Sequence, residues 1–374
     1  MAEVRRKVFG GLKDPRKRRG RRHLLPDILT ITICAVICGA DSWPAVAAFG
    51  RAKAKWFKTY LALPHGIPSR STFERVFVLL RPEKLEACFA TWTQALADAS
   101  PEPLIAIDGK TLRRSFDQAN DKAAIHMVSA WASANRLCFG QVATDAKSNE
   151  ITAIPRLLDL LDLAGVTVTI DAMGCQKKIA RQIVAQGGNY VLALKDNQAT
   201  LHEEVKLLLD DQIAARRKPL MLHAHEETDG GHGRVEIRRT WVTADVAWFE
   251  DRQAWPGLKS VAAVECERTA DGKTSTERRY FVSSLDGTDA APIARAVRNH
   301  WGIENSLHWS LDMAFNEDQS RMRRGNSAQN FSRMRRMALN LLTHEKTEKL
   351  GIKNKRLMAA WDHDYLLKLL TLRL

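Results

Sequence analysis

"PLIAIDGKTLRRS" spans Pro103 to Ser115, and "VTVTIDAMGCQKKIA" spans Val166 to Ala180. In each, four or five apolar or β-branched residues end abruptly in an aspartate, Asp108 or Asp171, followed by a small residue and a polar turn. Short runs of this kind read as buried strands. A stiff strand that delivers a carboxylate at its end holds that carboxylate in a fixed place. Either aspartate alone also suits a turn or a helix cap. Two of them on neighbouring strands of one sheet repel, and each raises the other's pKa unless a cation sits between them. Mg²⁺ takes one or two carboxylates and keeps several waters, so the pair suits it.

The stretch between and after these strands sets the fold class. The pattern predicts strands at 104–107, 126–131 and 138–144, then a helix over 151–163 and the strand ending at Ile170. A helix over 176–186 and a strand over 190–195 follow, which gives an α/β alternation with short connections. From 220 to 285 the period changes to two, with Asp271-Gly272 as a hairpin turn, so this is a β-rich segment. His223, His225 and His232 in it read as hairpin residues, because their spacing does not suit a closed metal site. Helical periodicity returns at Ala291 and holds to the end.

A third acid is expected from "ARAVRNHWGIENSLHWSLDMAFNED", Ala294 to Asp318. At 100° per residue, Glu304 shares a mostly apolar face with His300, Trp301, Leu307, His308 and Leu311. An acid on such a face is costly to bury unless paired or metal-bound. Pairing with Arg298 is the ordinary alternative. His300 and His308 as zinc ligands lack the HExxH order. Asp312, Glu317 and Asp318 lie nearby and compete for the same role.

The 374 residues carry 57 Lys and Arg against 43 Asp and Glu, a net charge of +14, which points to a polyanionic partner such as nucleic acid. The charge is clustered. "VRRKVFGGLKDPRKRRGRR" at the N-terminus holds ten basic residues, among them Arg16, Lys17, Arg18, Arg19, Arg21 and Arg22. It reads as a flexible arm over residues 1–22 that orders on phosphate. Lys110, Arg113 and Arg114 follow the first aspartate. "RMRRGNSAQNFSRMRR" adds Arg321, Arg323, Arg324, Arg333, Arg335 and Arg336 as backbone contacts. "GIPSRSTFERVFVLL", Gly66 to Leu80, fits either a helix-turn-helix element or an ordinary helical bundle. The six cysteines form no CxxC pair, which disfavours a zinc ribbon and a disulfide framework and fits a reducing, cytoplasmic compartment. "ILTITICAVICGA" is too short to span a bilayer, and no Gly-rich phosphate loop implies a nucleotide cofactor.

"AIDGKTLRRS", "TIDAMGCQKKIA", "YVLALKDNQ" and "RNHWGIENSLHWSLDMAFNEDQSRMR" together resemble bacterial insertion-sequence transposases of the DDE type, in the ISAs-one (H-repeat-associated) branch. The resemblance covers nearly the whole chain. It implies a ribonuclease H-like catalytic core, a β-rich insertion before the helix with the catalytic Glu, and an all-helical N-terminal domain. The expected boundaries are 1–22 for the arm, 23–100 for the helical domain, 101–215 and 289–374 for the core, and 216–288 for the insertion. It further implies that Asp108, Asp171 and Glu304 hold two Mg²⁺ ions, with Mn²⁺ as a substitute. The implied reaction is cleavage and strand transfer of double-stranded DNA by a homodimer on paired ends. Many related transposases carry a Tyr and an Arg seven and four residues before the Glu, and a Lys seven after. Here those positions hold Val297, His300 and Leu311, so His300, helped by Arg298 or His308, is expected to take the phosphate contact of the Arg. A metal-dependent nuclease of the same fold, or a DNA-end-binding protein without catalysis, are the alternatives.

Overall fold

The computed structural model describes residues 9–96, 103–116, 123–144, 149–215, 222–231 and 233–372. Arg5, Arg6, Lys7, His232 and the expected boundary near residue 100 lie outside these. The chain forms two compact units, Met1–Ala99 with Gly109–Asn149 and Glu304–Leu374, and Ser100–Asp108 with Glu150–Ile303.

The first unit opens with helices α1 (Leu25–Ile37), α2 (Trp43–Ala52), α3 (Ala54–Phe57), α4 (Arg70–Leu79) and α5 (Pro82–Leu96). Almost every residue of α1 is buried, which is why its sequence is apolar all round. Among the described residues no helix is long and apolar enough to cross a membrane. Ser69 caps α4 by accepting the Thr72 N–H at 3.4 Å.

Strand β1 (Leu104–Thr111) runs through both units. Strands β2 (His126–Ala132) and β3 (Leu137–Ala143) pair antiparallel in the first unit, where β2 lies between β1 and β3. β1 continues three residues past Asp108, so this aspartate is not at a strand tip as expected. It stands instead where the pairing of β1 with the second unit stops.

The second unit adds α6 (Glu150–Leu158), β4 (Thr167–Ile170), α7 (Lys177–Ala185), β5 (Asn189–Leu194) and α8 (Ala199–Ala214). Then come β6 (His223–Gly231), β7 (Arg234–Thr243), β8 (Ser260–Ala270), β9 (Lys273–Ser283) and α9 (Ala291–Gly302). Its strands lie in the order β1-β4-β5-β9-β8-β7-β6. β1, β4 and β5 are parallel, and β9 pairs antiparallel with β5 from Val191↔Ser283 to Leu194↔Tyr280. The β-rich segment is therefore an extension of the same sheet. Helix α9 closes one face of it: Ile293, Ala296 and Val297 pack with Val191, Val242, Ala262 and Phe281.

α9 runs on into a π-helical turn (Ile303–His308), and the first unit, which resumes at Glu304, ends with α10 (Trp309–Met313), α11 (Ser327–His344), α12 (Ile352–Trp361) and α13 (His363–Thr371). Helix α11 is buried on nearly all sides. Its polar residues must then be bonded internally. Asn330 donates to the Phe77 and Leu80 carbonyls, and Asn340 bonds both backbone groups of Cys138.

Candidate active site

Register brings the two aspartates together. Ile107 pairs with Ile170 in the parallel β1–β4 ladder, so the next residues, Asp108 and Asp171, are side by side. A third carboxylate joins them. One ligand oxygen each from Asp108, Glu150 and Asp171 lie within 4.8 Å of one another. All three belong to the second unit.

Each acid is held by its element. Asp171 caps the turn Ala172–Gly174, where its Oδ1 accepts N–H bonds from Met173 at 3.1 Å and Gly174 at 3.3 Å. The turn-cap alternative was thus correct for one of its oxygens. Burial pushes the Asp171 carboxyl above the usual range; Glu150 pushes it further, against the two N–H bonds and Lys195. Glu150 begins α6 and is only 8% exposed. The positive end of the helix favours a carboxylate there.

Sequence reasoning missed Glu150. The signal was present: Glu150, Ala153, Ile154, Leu157 and Leu158 form the buried face of α6, at the i, i+3, i+4, i+7, i+8 spacing. The first place of that apolar stripe is taken by an acid. An acid in a first helical turn ordinarily reads as a dipole partner, which hid it.

Glu304 belongs to the first unit and is the second residue of the π-helical turn. The expectation of an acid on an apolar face does not hold: Ile303, Leu307 and Leu311 are buried while Glu304 is exposed. A π turn bonds i to i+5 and advances less than 100° per residue, so the assumed phase slips here.

The model of the Transposase DDE domain matches residues 99–341. The chain belongs to the Transposase DDE domain family. A second match, described as DDE_Tnp_1-associated, covers residues 6–93. The chain is 42% identical over 359 residues to the "H repeat-associated putative transposase YhhI" of Escherichia coli K12, covering 93% of this chain and 92% of that protein. It is 43% identical over 359 residues to the "Putative transposase YncI" of Escherichia coli O157:H7, covering 95% and 91%. It is 47% identical over 278 residues to an "Uncharacterized protein in dhlA 3'region" of Xanthobacter autotrophicus, covering 74% and 92%. The matched transposase domain includes all four acids, Asp108, Glu150, Asp171 and Glu304.

The basic residues of this DDE transposase domain and its N-terminal segment divide into two sets. Lys17, Arg18, Arg19, Arg22 and Arg321 are exposed, and Arg113, 3.3 Å from Asp318, is still 77% exposed. Arg114 is half-buried. Others are engaged by groups of the protein, although Arg21, Arg298 and the 77% exposed Arg324 stay open to solvent. Arg16 is buried, bonded to Asp14 at 2.7 Å and to the His23 carbonyl at 2.6 Å, and Arg21 donates to the Arg16 carbonyl. Residues 14–23 thus form a bonded turn where a free arm was expected. Lys110 bridges Asp312 and Asp318, and Arg298 pairs with Asp229 at 2.7 Å. Arg323 donates to the Arg114 carbonyl and stacks over Phe116, while Arg324 reaches Glu74 at 3.4 Å.

Three expected backbone contacts are corrected outright. Arg333, Arg335 and Arg336 are buried in α11. Arg333 pairs with Glu86, and Arg336 and Arg335 face Glu317 at 3.2 and 3.7 Å. Burial works against the charge of Glu317, but Arg336 and Arg335 outweigh it and hold the carboxyl below its ordinary range. His300 is also not a cation. Its Nδ1 lies 3.0 Å from Thr169 Oγ1, and burial, with Arg279 nearby, pushes it down to about 4. It is neutral at pH 7 and offers a phosphate no charge.

Proposed function

We propose that the chain is a transposase that cuts double-stranded DNA at the ends of an insertion sequence and joins those ends to a target. The observation that carries this reading is the in-register pair Asp108 and Asp171, with Glu150 beside them, in a chain of this family. The donor set suits a hard divalent cation. It is all carboxylate, with no thiolate or imidazole, and the Asp171 carboxyl is pushed up first by burial and then by Glu150. Asp108, Asp171 and, by family resemblance, Glu304 would hold Mg²⁺ or Mn²⁺. Bound there, two such ions would activate water or a DNA 3′-hydroxyl and neutralise charge on the reacting phosphate.

The chain's own residues supply position and charge. β1 and β4 fix the two aspartates by register. Glu150 adds a negative group to the same cluster. Lys17, Arg18, Arg19, Arg22, Arg113, Arg114 and Arg321 bind phosphates along the backbone. No serine or cysteine nucleophile is needed, since phosphoryl transfer asks mainly for positioning and electrostatics. Two copies on paired ends, in the bacterial cytoplasm at the nucleoid, complete this reading.

The test uses DNA carrying the gene with its own flanks. Incubation with the protein and Mg²⁺ should cut at fixed points bounding the gene and join the released ends to a second DNA. EDTA should abolish both. No divalent-dependent cutting would overturn the reading, and cutting without joining would reduce it to a nuclease.

A further inference from the structure

Lys110 stands two residues past Asp108 on β1, where a phosphate contact was expected. Its ammonium lies 2.6 Å from Asp312 Oδ2 and 3.2 Å from Asp318 Oδ1, and its side chain is 10% exposed. An ammonium has three N–H donors, and two of them are directed at carboxylates. A cation so placed has little left for DNA.

Both partners lie C-terminal to Glu304, which sits within a helical run that is continuous from Ala291. From Glu304 the backbone is helical without a break, through the π turn and into α10, which carries Asp312. Ile303, Leu307 and Leu311 bury one side of this run. Asp318 lies in the next turn, beside Glu317, whose carboxylate meets Arg335 and Arg336 of α11. The segment is therefore fastened to α11 at one end and to β1 by Lys110. π turns recur at functional sites, and here one holds the acid that the family resemblance selects.

We propose that Lys110 is a positioning residue for Glu304: by bridging Asp312 and Asp318 it ties the segment that holds Glu304 to the end of β1. This rests on Glu304 being the third catalytic acid. A compact ammonium meets two separate carboxylates, whereas the planar fork of Arg favours one bidentate partner. Removing it leaves Asp312 without its cation and Asp318 with only the exposed Arg113 at 3.3 Å, so the segment keeps a weaker, solvent-screened tie.

The test compares the wild-type full-length chain with Lys110→Met, Lys110→Arg, Asp312→Asn and the Lys110→Met/Asp312→Asn double variant. The probe is a DNA fragment carrying one flank of the gene. The readouts are single-turnover cleavage rate at saturating protein, Kd against salt, and the melting temperature. Lys110→Met should lose on the order of a hundredfold in cleavage rate, the scale of a 1 Å misplacement. Its Kd and salt slope should match the wild type, and Lys110→Arg should recover part of the rate. The double variant should be no slower than Lys110→Met, because residues acting as one unit are not additive. If Lys110→Met does not fold, slowed cleavage by folded Asp312→Asn and Lys110→Arg at wild-type Kd supports the same role. A wild-type rate in folded Lys110→Met would overturn it, as would a salt slope reduced by about 0.9, the signature of one lost phosphate contact. Silence of the wild-type protein on the fragment would overturn the transposase reading and the role of Lys110 with it.

Discussion

Gly174 lies against Ile154: a Cβ at 174 would stand 2.9 Å from Ile154 Cδ1 and closer still to the Ile170 side chain. Gly174 closes the turn that Asp171 caps, and Ile154 is one helical turn from Glu150 on the buried face of α6. The glycine thus lets two acid-bearing elements approach. Gly174→Ala should overpack this contact and cost about 1–3 kcal/mol of stability. Cleavage should fall while DNA affinity stays unchanged. Thermal unfolding and a cleavage assay check both, and a variant equal to wild type in both would contradict the packing argument.

The buried and exposed arginines should behave in opposite ways. Glu317→Gln leaves Arg335 and Arg336 buried without their counter-ion, so a loss of about 3–5 kcal/mol is expected. Arg321→Ala should leave denaturant unfolding unchanged and lower the log–log salt slope of DNA binding by about 0.9. Reversal of the two patterns would show that the assignment of inside and outside is wrong.

His300 makes stability depend on pH. Its folded pKa, about 4, lies below the unfolded value of about 6.5. Between these values the unfolded chain binds a proton that the folded chain does not. Its contribution is complete above about pH 6.5 and is lost as pH falls toward 4, at up to about 1.36 kcal/mol per pH unit. His308, pushed down to about 3 by burial, acts in the same direction. His300→Gln should flatten the slope of unfolding midpoint against pH over this window and leave the shares of His308 and of His23, which burial also pushes down. An unchanged slope would mean that His300 is not held neutral by the fold.

Glu150→Gln should weaken divalent binding without unfolding the protein, because one carboxylate of the cluster loses its charge. Titration calorimetry with Mn²⁺ reads this directly. Undiminished Mn²⁺ affinity would remove Glu150 from the site.

How much of this was legible depended on whether the deciding partner was local. Asp108 and Asp171 could be read because each ends an apolar run long enough to be a strand. The ladder Ile107↔Ile170 then needed only that the two strands be neighbours. The alternation of β6 to β9 was equally plain, but nothing local says that β9 pairs with β5, so the segment looked like a separate insertion. The arginines of α11 misled for the same reason. Arg333 lies 247 residues from Glu86, and no local pattern announces that pair. Exposed and buried basic runs look alike until their acids are located. Glu150 was legible in principle, as an acid in the first place of an apolar stripe, and was passed over for a helix-end charge.

The most direct test of the catalytic account is Asp171→Asn. Asn keeps the side-chain oxygen that accepts the Met173 and Gly174 N–H bonds, so the turn should survive. The charge that would hold a divalent cation is lost. Cleavage of the gene's flanking DNA in Mg²⁺ should be undetectable for this variant, while melting temperature and DNA affinity remain those of the wild type. Substantial Mg²⁺-dependent cleavage by folded Asp171→Asn would contradict the account.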